Sequence, residues 1–209
     1  MKEMVNHVNE IFGGEEEEFD TRTLLDTLPD DTGLFISRLC SLEFTQKILN
    51  NFLSSSRRLT LQCEFPINIQ HVAIQNLDVL SLRSQIPMSL DDFLMCNASY
   101  ICTWRRTLSS KEINRFLQHW ITGSNSRLKY INFAIENADV TSILKNIPYQ
   151  SVPEEVERAL DKNITTYSWR STYRYFYKTI TGGWDIRNKD GTRATVTVVE
   201  RNVELVVWD

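Results

Sequence analysis

The sequence predicts an α/β fold in which strands and helices alternate, followed by an antiparallel β-meander. Three observations support this. Short apolar runs near residues 34, 59, 77, 100 and 128 have the length and composition of buried strands. Stretches with a 3.6-residue apolar period separate several of these runs. Beyond residue 182, alternating strand patterns are joined by tight-turn signals.

The clearest single element is a helix that begins after Ser109. Ser109 and Glu112 have the spacing of a capping box, in which a hydroxyl and a carboxylate satisfy backbone N–H groups at the helix start. Gly123 and Asn125 are typical of a left-handed helix end, so a strand is expected directly afterwards. The apolar stripe of this helix consists of Ile113, Phe116, Leu117, Trp120 and Ile121.

Besides a short amphipathic helix over residues 3–12, three further helices are predicted. One follows Ser41, where Phe44, Ile48 and Phe52 repeat the helical period. A second opens at the weaker capping box of Ser89 and Asp92. The third covers residues 153–161, PEEVERALD, because proline in the first turn and acidic residues near the N-terminus suit a helix.

The strand and helix units repeat every 20 to 30 residues or so, which is typical of solenoids related to leucine-rich repeats. No regular LxxLxLxxN/C ladder is present, so the sequence predicts an irregular leucine-rich-repeat-like array with a parallel sheet and helices on its outer face. A doubly wound sheet is the alternative. Neither GxGxxG nor GxxxxGK[ST] occurs to support that alternative.

Two regions are predicted along the chain. Residues 1–150 form the leucine-rich-repeat-like array, and residues 151–209 form a C-terminal cap made of one helix and the antiparallel meander. Asp190 and Gly191 supply the tight turn of the meander. The last strand is expected to be an exposed edge guarded against aggregation by Lys189, Arg193 and Arg201.

Composition excludes several classes of protein. The 209 residues are 42% hydrophobic, enough for a substantial core, but no apolar run is long enough to span a membrane. A net charge of −4 argues against a general nucleic-acid binder. The start, MKEMVNHVNEIF, lacks the features of a signal peptide, so a cytoplasmic or nuclear location is expected, in which the four cysteines are reduced and structural.

No catalytic or metal-binding pattern stands out. The three histidines are far apart in sequence, and neither HExxH nor GxSxG occurs, so no catalytic, cofactor or metal residue is assigned and an enzyme is not expected. Asp91 and Asp92 are interpreted as partners of a helix dipole. The alternative is a cytosolic hydrolase with a cryptic site, for example a couple of Cys102 and His119, which no pattern supports.

The candidate partner-binding residues are Trp104, Arg105 and Arg106. They end a predicted strand, and tryptophan and arginine dominate the energetics of many protein interfaces.

Three blocks of the sequence closely resemble the nematode F-box-associated domain, type 2. They are SLDDFLMCNASYI at residues 89–101, LSSKEINRFLQHWITGSNSRLKYINF at 108–133 and GGWDIRNKDGTRATV at 182–196, in the order of the family. The resemblance covers roughly residues 40–208. It implies a protein-binding module that recognises substrates, as yet unidentified, for a Skp-cullin-F-box ubiquitin ligase.

The F-box that precedes this region in the family has no recognisable counterpart here. Leu28 and Pro29 are followed by DDTGLFISRL, which lacks the helical leucine spacing with which an F-box opens. We therefore expect this chain not to bind the Skp adaptor.

Overall fold

In the residues that it describes, the computed structural model contains one nine-stranded sheet with the strand order β1-β2-β3-β4-β5-β9-β8-β7-β6. The mixed α/β class predicted from the sequence is confirmed, as is the antiparallel C-terminal part of the sheet. The structure describes residues 33–36, 41–62, 69–82, 88–106, 108–159, 179–199 and 201–208. The predicted short helix over residues 3–12 lies outside these ranges.

In the N-terminal part, strands and helices alternate. The strands are β1 (Gly33–Ile36), β2 (Arg58–Leu61), β3 (Val79–Leu82), β4 (Tyr100–Arg106) and β5 (Tyr130–Ala134). The helices are α1 (Leu42–Phe52), followed by a 3-10 turn at Leu53–Ser55, α2 (Ile69–Ala73), α3 (Leu90–Met95), α4 (Ser110–Ile121) and α5 (Val140–Ile143). The C-terminal part consists of β6 (Gln150–Ala159), β7 (Thr179–Arg187), β8 (Arg193–Val199) and β9 (Asn202–Trp208).

The first five strands are parallel, and each pairs with the next along the chain. Their register aligns one apolar residue of every strand in a single row, and these side chains all point to the same face of the sheet. The row consists of Leu34, Leu59, Leu80, Ile101 and Ile131. The predicted strands and their parallel order are thus confirmed, whereas the leucine-rich-repeat-like description stays a prediction.

The capped helix predicted to begin after Ser109 is present as α4. Ser109 N donates to Glu112 Oε2 at 2.8 Å, and Glu112 N donates to Ser109 Oγ at 3.4 Å, which completes the capping box. Four residues of the predicted stripe are buried, and Trp120 is only 2% exposed. Gly123 and Asn125 have φ values of 105° and 53°, so both adopt the left-handed conformation expected of them.

The C-terminal strands enter the sheet by an unexpected route. After β5 the chain crosses to the far edge of the sheet, and β6 to β9 then return towards the centre as a meander. β9 pairs antiparallel with β5, so it is a central strand and the predicted exposed last edge is wrong. β6 is the edge instead, and its outer residues include Glu154, Glu155 and Glu157, charges that discourage association between sheets.

The predicted helix over residues 153–161 is also wrong. Residues 150–159 form strand β6, which pairs with β7. The register shifts between Val152 and Glu157, and Pro153 lies in this irregular segment. The sheet does not need a backbone N–H donor from Pro153 there. Pairing with β7 therefore outweighs the helical preference of the glutamates.

The boundary between residues 1–150 and 151–209 stays a prediction. β5 and β9 lie on opposite sides of it and pair over five residues.

Candidate partner-binding face

The two faces of the sheet are covered differently. The apolar residues buried by all five described helices join one hydrophobic cluster with inward residues of the sheet such as Leu59, Ile101 and Leu205. The residues that alternate with these point to the other face, on which no described helix packs. We call this second surface the helix-free face.

Part of the helix-free face is half-buried and accessible. Two rows cross β2, β3 and β4, because Arg58, Val79 and Tyr100 are in register and Thr60, Ser81 and Cys102 are in register. All six side chains have intermediate exposure. We call this group the open patch. It combines an aromatic ring, a guanidinium, two hydroxyls, a thiol and an aliphatic group.

The predicted partner-binding residues Trp104, Arg105 and Arg106 lie beside the open patch. The backbone of β4 runs through all three, and the pairing of β4 with β5 shifts register between Cys102 and Arg106. Their side chains lie outside the part of the chain that the structure describes, so their role stays a prediction.

Next to the open patch, the helix-free face becomes buried. Tyr130 donates from its hydroxyl to Glu204 Oε1 at 3.1 Å, and both residues are at most 5% exposed. Burial, followed by the negative charge of Glu204, raises the pKa of Tyr130, so the phenol is neutral. Tyr130 and Val206 form a second hydrophobic cluster with Ile180, and Tyr100, Cys102 and Trp208 pack against it.

Ile180 reaches this cluster because the paired strands β6 and β7 bend over the sheet. β7 pairs with β8 from Trp184 to Arg187, but Ile180 lies four residues before that segment and contacts strands on the far side of β8. Gly182 and Gly183 provide the bend, with φ values of 64° and 104° that favour glycine. We call the folded-over pairs, residues 157–159 and 179–181, the strap.

One arginine of the strap forms an ion pair with the sheet. Arg158 Nη1 donates to Asp185 Oδ1 at 2.7 Å and Nη2 donates to Asp185 Oδ2 at 3.0 Å, a bidentate ion pair. Asp185 is five residues from Ile180, the strand partner of Arg158, and a straight β7 would separate them by roughly 16 Å. The ion pair therefore depends on the bend.

Thr195 and Trp208 complete this polar cluster. Arg158 Nη1 also donates to Thr195 Oγ1 at 2.8 Å, and Thr195 Oγ1 donates to Asp185 Oδ1 at 2.6 Å. Trp208 Nε1 donates to Thr195 Oγ1 at 2.7 Å, while the Arg158 guanidinium carbon lies 5.7 Å from the centroid of the Trp208 ring. We call Asp185, Thr195 and Trp208 the guanidinium pocket.

This cluster was not predicted from the sequence. Arg158 was placed on a predicted helix, and its partners are 27 and 37 residues further along the chain. The adjacent glycines Gly182 and Gly183 were the one local signal of a bend, because a pair of glycines inside a strand pattern marks a bulge or a kink.

The residues considered for hydrolysis are not brought together. Cys102 packs on the helix-free face, whereas His119 is exposed on α4, which packs on the opposite face. A cavity of about 120 Å³ between the loop after α4 and the β7–β8 hairpin has no histidine or cysteine in its lining.

Asp92 caps α3 together with Ser89, as predicted. Burial, partly offset by a backbone hydrogen bond at Ala98, raises the pKa of the Cys96 thiol to about 11, so that thiol is unreactive at neutral pH.

Metal ligands and membrane spans can be judged only in the described ranges. There, no group of three or more histidine, cysteine, aspartate or glutamate side chains is placed to hold a metal ion. No helix in the same ranges has the length and apolar character needed to cross a bilayer.

The fold and this face define a class: a mixed α/β sheet with helices on one side and an accessible, chemically varied face on the other. Comparison with known proteins agrees with the resemblance found in the sequence. Residues 68–133 match the family model described as F-box associated, and these residues contain β3, β4 and all of β5 except Ala134. The predicted family resemblance is therefore confirmed over this region.

A curated relative supports the same assignment. The F-box associated domain-containing protein sdz-33 of Caenorhabditis elegans is 31% identical over 131 residues. The match covers 63% of this chain and 37% of the relative's length. No solved structure matches the chain significantly.

Proposed function

We propose that this chain is a protein-binding module that holds a target protein on its helix-free face. In the context of the F-box-associated family, the target would be a substrate presented to a Skp-cullin-F-box ubiquitin ligase. We further propose that β1 to β5 and their helices form a leucine-rich-repeat-like array, since every parallel strand adds one apolar residue to a common row.

The open patch is the observation that carries this proposal. Its aromatic, cationic, hydroxyl and aliphatic groups can provide the mixture of apolar contact and hydrogen bonding found in protein interfaces. Two of its three strands, β3 and β4, lie within the residues that match the family model. A binding role without catalysis or a cofactor, in the cytoplasm or nucleus, is part of the same proposal.

The proposal is tested by variants that add bulk and charge to one face at a time. Thr60→Arg with Ser81→Arg alters the open patch, whereas Gln70→Arg with His119→Arg adds the same charge to exposed positions on α2 and α4. Each immobilised protein is incubated with nematode extract, and the retained proteins are quantified by mass spectrometry. Melting curves establish that both variants are folded.

We expect a discrete set of proteins that the unmodified chain and the helix-side variant retain and that the patch variant loses. Equal retention by all three proteins, or selective loss by the helix-side variant, would contradict a binding role for the helix-free face.

A further inference from the structure

We propose that the guanidinium pocket is a binding site for an arginine side chain of the partner protein, and that the strap's own Arg158 fills it as an internal ligand until an extended partner segment displaces the strap. This inference rests on the proposed function, because it specifies which chemistry the helix-free face recognises.

The pocket is built for a guanidinium group. Both oxygens of Asp185 accept from Arg158, at 2.7 and 3.0 Å, in a fork geometry that matches a carboxylate. Trp208 offers its ring face to the cation at 5.7 Å. Donation from Trp208 Nε1 to Thr195 Oγ1, and from Thr195 Oγ1 to Asp185, holds these groups in place without help from the arginine. The receptor is therefore preorganised.

This geometry favours arginine over lysine. A lysine ammonium is a compact point charge that cannot make two parallel hydrogen bonds and stack on an indole in one position. Its strong hydration also makes the partly buried site, where the Asp185 side chain is 12% exposed, more costly to enter.

In the described residues, the strap is held by few contacts, which favours its displacement. Residues 157–159 pair with residues 179–181, and β7 pairs with β8 only from Trp184 onward. The strap's outward residues Glu157, Ala159, Thr179 and Thr181 are exposed, so few of its side chains are buried against the sheet. Among the contacts found in the described residues, Ile180 supplies the apolar anchor and Arg158 the polar one.

Displacement would extend the open patch. Tyr100 and Cys102 of that patch already pack against the cluster that Ile180 caps. With the strap moved aside, one surface would run from Arg58 through Tyr130 and Val206 to Asp185. A partner segment that carries an aliphatic residue and an arginine reproduces the two anchors of the strap.

Two further charged residues of the described ranges lie near the pocket. Glu204 faces the same side of the sheet and adds a carboxylate, whereas Arg193 lies close enough to Asp185 to act on its charge and opposes cation binding. The bidentate geometry at Asp185, rather than net charge, therefore determines the preference for arginine.

The test uses two capped, fluorescein-labelled peptides, Ser-Val-Thr-Arg-Thr-Val-Ser and its twin with lysine in place of arginine. Their β-branched residues favour an extended backbone. Fluorescence anisotropy measures binding to the unmodified chain, to Arg158→Ala and to Asp185→Asn, and circular dichroism checks that each is folded.

Three results are expected. The arginine peptide binds the unmodified chain at least about tenfold more tightly than the lysine peptide, because only arginine is held bidentately. Arg158→Ala tightens binding of the arginine peptide by about tenfold or more, since the internal competitor is gone. Asp185→Asn abolishes the preference for arginine.

Equal binding of the two peptides, no tightening in Arg158→Ala, or an arginine preference that survives Asp185→Asn would each overturn the inference. If Arg158→Ala does not fold, Ile180→Ala weakens the strap without touching the pocket, and the same tightening is expected. Failure here leaves the open-patch experiment unaffected, because Thr60 and Ser81 contact neither the pocket nor Arg158.

Discussion

At the scale of single residues, asparagine side chains join one strand and helix unit to the next. Asn125 Nδ2 donates to the carbonyls of Phe93 and Cys96, at 3.0 and 2.8 Å, at the end of α3. Asn114 Nδ2 donates in the same way to the carbonyls of Ile143 and Lys145 after α5, at 2.8 and 2.9 Å. Each asparagine thus donates to two carbonyls at a helix end, although Phe93 O also accepts from Cys96 N at 3.2 Å.

Substitution of Asn125 should be destabilising for two separable reasons. Asn125→Ala removes two hydrogen bonds and replaces asparagine, which tolerates a φ of 53°, by a residue that rarely adopts it, so we expect the free energy of unfolding to fall by about 2 to 4 kcal/mol. Asn125→Gly loses the same hydrogen bonds but tolerates the backbone, and should cost less. Urea denaturation measures both. A larger loss for glycine than for alanine would show that the left-handed conformation is not required.

The ion pair at Asp185 predicts a specific pH dependence. Burial raises the pKa of Asp185, but hydrogen bonds from Arg158 and Thr195 and the charges of Arg158 and Arg193 outweigh it, so the pKa is below its ordinary value. The carboxylate therefore contributes stability above the pKa of the unfolded chain, about 3.9, and this contribution is lost as the pH falls through the lower folded pKa.

Asp185→Asn cannot titrate, so its free energy of unfolding should change less than that of the unmodified chain between about pH 5 and pH 2. Chemical denaturation at a series of pH values measures the difference. Parallel curves for the two proteins would mean that the Arg158–Asp185 pair does not stabilise the folded state.

Residues whose partners are close in sequence could be predicted, and those with distant partners could not. Ser109 and Glu112 are three residues apart, and their capping box follows from the helical rise. Arg158 and Asp185 are 27 residues apart, and nothing in the local sequence of either specifies the other. The guanidinium pocket therefore had to be found in the structure.

At the scale of secondary structure, α4 is the helix whose burial most clearly supports the fold. Trp120 is 2% exposed, and Phe116 packs edge-on against Phe133 of β5 with ring centroids 5.2 Å apart. We expect Trp120→Ala to lower the free energy of unfolding by about 3 to 5 kcal/mol. Lys111→Ala, at an exposed position of the same helix, should change it by less than about 0.5 kcal/mol. Equal melting temperatures for the two variants would mean that the stripe is not buried.

Two glycines provide a matched test of the strap bend. A Cβ on Gly183 would lie 2.5 Å from Val196 O and 2.8 Å from Thr197 Cγ2, whereas a Cβ on Gly191 would meet nothing within 4 Å. Both have positive φ, so alanine is strained at each, but only Gly183→Ala also forces β7 away from β8.

Gly183→Ala should therefore cost at least about 2 kcal/mol more in unfolding free energy than Gly191→Ala, because steric overlap adds to backbone strain. Thermal melts of both variants provide the comparison. Similar costs at the two positions would show that the close approach of β7 to β8 is absent in solution.

The error at β6 has a physical cause. Residues 153–161 have a helix-compatible composition, with proline near the start and three glutamates, but the described part of the segment, residues 153–159, lies at the edge of a sheet beside β7. Edge pairing tolerates proline and charged residues, so the same composition suits an edge strand. Composition alone could not distinguish a helix from an edge strand here, because the strand form depends on pairing with β7, which begins after a further 19 residues.

At the scale of the whole molecule, the order of the parallel strands could be predicted, whereas the way the C-terminal strands join the sheet could not. Each parallel strand carries its own apolar pattern and pairs with its neighbour along the chain, so order follows from sequence. The pairing of β9 with β5 joins segments about 70 residues apart and depends on which edge the meander starts from. That choice makes β9 central and β6 the edge.

The same arrangement separates the two faces of the molecule. The helices bury one side of the sheet, and the other side carries the open patch next to the strap. We propose that a partner protein binds this second side rather than the helices.

The most direct measurement is site-specific photo-crosslinking in nematode cells. A benzophenone amino acid is placed at Thr60 in the open patch or at Gln70 on the exposed side of α2, and crosslinked products are compared after irradiation. We expect a discrete crosslinked partner from position 60 and none from position 70. A partner crosslinked from position 70 but not from position 60 would contradict the assignment of the helix-free face as the binding surface.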